Sequence, residues 1–236
     1  MDSLNRINPL NPEAGYVPTP EDPRELSAAL RAGTISNRIF PYLDWRYKER
    51  GRRFTKSDSA WLVWLTRHRR ERVIEQVVWL RDLLSNRGMP SIILETHLRV
   101  LFRTLTRSIP EGGRYGSLAV SAQQLQEQRE KQISSQRSRQ LAADFVGELG
   151  YGSSPLVEGA ARLAIAAVAD EKVGVKHAVK SLEGWIADAS QLRGSDELRE
   201  RLTPTQRGVL DAESFPQRWR SAISRTIAKA RRPPDR

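Results

Sequence analysis

The chain contains no cysteine. That excludes disulfides, thiolate metal ligation and a cysteine nucleophile, and it leaves the redox compartment open. Histidine is scarce as well. His68, His97 and His177 are the three present, and none stands in a spacing such as H-E-x-x-H, which sets two metal ligands on one helical face. The Walker loop, G-x-G-x-x-G and the G-x-S-x-G elbow are missing too. "EGGRYG" at 111–116 is rich in glycine but has neither a strand before it nor a lysine. Long apolar runs are lacking: the longest, "LAIAAVA", falls far short of the ~20 residues that span a bilayer. The opening residues, "MDSLNRINPLNPEAG", have no apolar stretch of the secretory kind. No segment of useful length alternates with strand period, and no internal repeat is present. These absences lead to the expectation of a water-soluble, cytoplasmic protein. They give no local argument for an enzyme, although acid–base pairs assembled from distant positions leave that class open.

What the chain does have is positive charge. Its 39 Lys and Arg against 28 Asp and Glu give a net +11. The excess is concentrated in two places. Residues 38–72 carry eleven bases against four acids, a balance of +7, and residues 216–236 carry seven against one, a balance of +6. The remainder therefore sums to −2. A surplus of this size suits nucleic acid, an acidic protein or an anionic membrane surface as partner.

Helical spacing dominates the pattern. The first 23 residues hold five prolines and little apolar material, so they read as an extended arm. "PRELSAALRAG" then predicts a short helix that opens at Pro23 and stops at Gly33. Thr55-Lys56-Ser57-Asp58 has the form of a capping box. A helix from about Asp58 would carry Trp61, Trp64, Leu65 and His68 on one stripe. A second stripe, Val73, Val77, Leu80 and Leu84, is out of phase with it by about 80°, so the segment 58–86 is either one kinked helix or two, with the break inside the basic cluster. Asn86-Arg87-Gly88 and Pro90 punctuate the next turn. Leu94, Leu98, Leu101 and Leu105 form the stripe of a helix over 91–108. Residues 117–149 read as one long helix or a pair, and "GYGSSP" at 150–155 breaks the chain. "LVEGAARLAIAAVADE" is a small-residue helix suited to close packing. Further helices are expected near 175–186, 195–202, 204–212 and 216–230.

The expectation is an all-α, multi-helix bundle with an extended Pro-rich arm (1–23), a helical domain (24–149) and a helical subdomain (150–236) packed on it or continuous with it, ending in a basic helix. Its function is expected to be that of a non-enzymatic binding or regulatory protein that grips nucleic acid or another anionic partner. The candidate contacts are Arg46, Lys48, Arg50, Arg52 and Arg53, interleaved with Trp45 and Tyr47; Arg67, Arg69 and Arg70 in the cluster "RHRRER"; and Arg218, Arg220, Arg225, Lys229, Arg231 and Arg232 around the Trp219, Ile223, Ile227 stripe of the last helix. Each group also has a plainer explanation. Phe40, Tyr42, Trp45 and Phe54 suit a core whose opposite face is solvated arginine, the preferred reading for that segment. The cluster at 67–72 suits a wet turn between two helices. The last helix suits packing through Trp219, with bases favoured at its C-terminal end. The alternative function is a ligand-sensing or adaptor domain in which a tetrapyrrole or another small apolar molecule sits between helices near His97, which borders its helix's apolar stripe. A partly buried histidine satisfied by its neighbours is the plainer explanation there.

Overall fold

The computed structural model describes residues 9–150, 152, 155–194, 196–200 and 202–233. Residues 1–8 of the expected arm, and Tyr151, Ser153 and Ser154 of the expected break, lie outside them. The described residues form an all-α protein: α1 (Pro23–Ile39), α2 (Pro41–Leu65), α3 (Arg70–Ser85), α4 (Ser91–Ser108), α5 (Gly116–Gln132), α6 (Ser135–Leu149), α7 (Pro155–Lys172), α8 (Ala178–Ile186), α9 (Ser190–Arg193), α10 (Asp196–Glu200), α11 (Pro204–Asp211) and α12 (Phe215–Arg231), with 3-10 turns at Pro12–Ala14 and Gly113–Tyr115. They group into two compact units, residues 1–80 with 93–126 and residues 81–92 with 127–236.

In the first unit, α1 packs along α2. Asp22 caps α1 through the Arg24 amide, with Pro23 at the first position. The expected stop at Gly33 does not occur, and the helix runs on to Ile39. A Cβ at Gly33 would stand 3.2 Å from Thr55 Cγ2, so this glycine, with Ala28, Ala29 and Ala32 all fully buried, admits α2 at close range rather than ending α1. The expected capping box at 55–58 is likewise mid-helix. Thr55 donates to the Gly51 carbonyl, Ser57 to that of Phe54 and Ser59 to that of Thr55, so these hydroxyls back-bond to carbonyls, while the amides around them are already paired within the helix. α2 starts instead at Pro41 and passes a kink at Lys48, whose φ of 49° is the one positive value among described non-glycine residues. The helix change in the basic cluster does occur: α2 ends at Leu65 and α3 begins at Arg70. Leu62, Val63, Leu98, Leu101, Leu105 and Leu118 lie in the core with no exposure. Residues 9–22 are partly tied to this unit, since Glu13 pairs with Arg50 at 2.7 Å and Arg53 at 2.6 Å.

In the second unit α7 is the central element, packed against α6, α8 and α12. Its run of buried small residues, Ala160, Ala161, Ala164, Ala166, Ala167 and Ala169, lets three neighbours approach one axis. The polar middle of 117–149 resolves into a pair of helices, broken where Ser134 caps α6 through the Arg137 amide. Asp170, buried near the end of α7, accepts from Ser85 Oγ at 2.8 Å and from the Ser91 amide at 2.7 Å. It thus caps α4 from a distant point in the sequence. Thr203 and Gln206 form a reciprocal capping box at α11.

Candidate nucleic-acid interface

His97 sits at a junction of α1, α2 and α4. Its Nδ1 is 2.8 Å from Ser36 Oγ and its Nε2 is 3.1 Å from Ser59 Oγ. Because Ser59 donates its hydroxyl hydrogen to the Thr55 carbonyl, it accepts from Nε2–H, and Ser36 donates to Nδ1. The ring is neutral and both nitrogens are occupied. Burial lowers its pKa to about 4. A ligand on this imidazole would have to displace a serine from a site with 7 % exposure.

Arg67, first of the basic cluster, reaches back to α1. The buried Glu25 carboxylate accepts from Arg67 at 3.2 Å, from Tyr115 Oη at 2.6 Å and from Arg114. Burial and this acidic neighbour push the Tyr115 hydroxyl up to about 12. Gly112 lets the loop fold over the Tyr115 ring, since a Cβ there would fall 2.1 Å from Cε2. Three donors from two places in the chain thus meet one carboxylate, and Arg67 is part of the frame. The next bases are different. Arg69 and Arg70 are exposed and have no carboxylate partner among the described residues, whereas Arg72 pairs with Glu75 at 3.4 Å.

In the aromatic–basic segment, Phe40 and Tyr42 are buried and Trp45 and Phe54 half-buried. Arg50 and Arg53 are engaged by Glu13, and Arg52 by Asp44 at 3.1 Å and Glu49 at 3.7 Å. Arg46 and Lys48 remain exposed, Arg46 lying over the Tyr47 ring at 5.8 Å. Lys48 stands at the kink of α2, and the regular stretch from there to Leu65 rises about 25 Å, which sets Lys48 well away from the 67–72 cluster.

The C-terminal helix belongs to the second unit. Trp219 is wholly buried and donates from Nε1 to the Ile186 carbonyl at 2.7 Å. Ile223 and Ile227 are buried beside it. Its bases are largely spent within the unit. Arg218 donates to the Leu149 carbonyl at 2.5 Å, the end of α6, where a cation is favoured. Arg225 and Lys229 meet Glu148 at 2.9 and 3.0 Å. Burial alone would raise the Glu148 pKa, but the two cations prevail and hold it below the usual carboxylate range. Arg231 meets Glu171 at 2.8 Å. Arg220 and Arg232 are exposed.

Sequence reasoning passed over several groups. Glu25, Arg114, Ser36 and Ser59 acquire their roles only through contacts tens of residues away. Arg103 and Arg107 are exposed on α4, one helical turn apart and in line with Arg99. Their four-residue spacing opposite the leucine stripe was a readable signal. Among the described residues no group of three or more His, Asp or Glu could hold a metal ion, and no helix is long and apolar enough to cross a membrane. No protein-family model, curated protein or solved structure matches the chain.

Proposed function

We propose that this is a non-enzymatic nucleic-acid-binding protein whose contact surface is centred on the turn between α2 and α3. The observation that carries the reading is the contrast between Arg69 and Arg70, adjacent, exposed and without a carboxylate partner among the described residues, and the many other bases that already have one. Arg67, Arg50, Arg53, Arg225 and Arg231 each hold an acid of their own unit. Two adjacent guanidinium groups at a helix turn are suited to successive phosphates, because each presents a planar fork of donors. A small molecule held at His97 has no comparable support, since each ring nitrogen already has a serine partner.

Binding is measured by fluorescence anisotropy with labelled DNA and RNA over a range of salt. If both arginines meet phosphates, Arg69→Ala/Arg70→Ala lowers the slope of log K against log salt by about 1.4 to 1.8, which is two contacts' worth. Absence of binding at low salt, or a double variant with an unchanged slope, refutes the proposal.

A further inference from the structure

Of the stripe Trp61, Trp64, Leu65 and His68, Leu65 is buried in the core. α2 buries Ser59, Leu62 and Val63 beside it, leaving Trp61 and Trp64 half-buried and His68, just past the helix end, exposed. Across from them on α3, Trp79 is 54 % exposed and meets Trp61 edge-to-face, with centroids 6.4 Å apart. Trp64 and His68 lie 4.6 Å apart at 59°. Trp61 and Trp64, three residues apart, are neighbours on one helix face. The two ring pairs, Trp79–Trp61 and Trp64–His68, thus make a row whose outer members, Trp79 and His68, are exposed, and the row ends at the turn that carries Arg69 and Arg70.

Aromatic rings gathered on one face and open or half-open to solvent suit a contact surface, and the charge beside them decides what it contacts. A symmetric second copy would set this patch against itself and oppose like charges. An apolar peptide would leave the guanidinium groups unmatched. A nucleic-acid duplex meets the charge but keeps its base faces inside the stack. Only a single strand offers both phosphates and open base faces. We infer that the row is a stacking platform for single-stranded nucleic acid, with bases on Trp79 and on the Trp64–His68 pair and phosphates on Arg69 and Arg70. The inference rests on the nucleic-acid reading above and goes further in naming the form of the polymer.

The test uses the full chain with a fluorescein-labelled oligothymidylate of about fifteen nucleotides, a mixed-sequence duplex of equal length, and sedimentation velocity on the protein alone. The single strand is expected to bind more tightly than the duplex and to quench tryptophan emission. Trp79→Ala is expected to weaken the single strand at least about fivefold while duplex binding changes by less than about twofold, and Trp79→Phe, which keeps a ring face, is expected to recover most of the loss. Equal affinity for the two forms, or a Trp79→Ala variant that binds the single strand as wild type does, overturns the platform and leaves the arginine contact standing. Failure of both forms to bind at low salt overturns the two together. A wild-type dimer that Trp79→Ala converts to monomer, with no preference for the single strand, assigns the surface to a second copy and overturns the inference.

Discussion

Acidification should weaken this fold through His97, and the size of the effect follows from its surroundings. In an unfolded chain the imidazole takes up a proton near 6.5, whereas in the fold burial delays this to about 4. Both nitrogens are matched to serines in the neutral tautomer, so a second ring proton would face a hydroxyl already donating. Between those two pH values the unfolded state binds more protons. The stabilisation is therefore complete above pH 6.5 and is lost as the pH falls toward 4. The slope approaches about 1.4 kcal/mol per pH unit and the total is on the order of 3 kcal/mol, a large share of the 5–15 kcal/mol typical of a domain. Carboxylates titrate in the same direction, so the informative quantity is a difference. Urea unfolding followed by circular dichroism, on wild type and His97→Gln, from about pH 7 to about pH 4.5, isolates the histidine. The wild type's advantage should shrink steadily over that range. A difference that stays constant with pH would show that His97 is not held neutral in the fold.

Two further perturbations probe the frames around the site. Glu25→Ala removes the acceptor shared by Arg67, Arg114 and Tyr115. Since both arginines are partly exposed and can turn to water, the loss should be about 2–3 kcal/mol rather than the larger cost of stranding a fully buried charge, read as a fall in the urea midpoint at unchanged slope. Trp219→Ala empties a wholly buried site among α6, α8 and α12 and should cost about 3–5 kcal/mol, checked by thermal unfolding. Trp219→Phe, which keeps most of the volume but deprives the Ile186 carbonyl of its donor, should cost less than half as much.

Much of the architecture was readable because helices announce themselves locally. The Leu94, Leu98, Leu101 and Leu105 stripe, the Thr203–Pro204 start and the small-residue run of α7 need no knowledge of distant residues, and each lies where its pattern places it. Gly33 and the hydroxyls at 55–59 misled because their local chemistry fits two situations. A glycine ends a helix or admits a neighbouring one, and a hydroxyl caps an amide or bonds a carbonyl four residues back. Which holds depends on α1 lying against α2, a contact that no local window contains.

The charge pattern divides in the same way. Sequence alone determined that the protein is helical and strongly basic, and that the helical phase changes within the run of bases at 67–72, because net charge and 3.6-residue periodicity are properties of composition and order. That the change is a break between two helices was settled by the structure. Tertiary structure decided which of those bases are left over. It turned Arg67 inward to Glu25, spent most of the bases on α12 on Glu148, Glu171 and the end of α6, and left Arg69 and Arg70 exposed beside the rings of Trp64 and His68. An arginine's role is set by the nearest carboxylate in space. Here that carboxylate lies 42 to 81 positions away along the chain for Arg67, Arg225, Lys229 and Arg231.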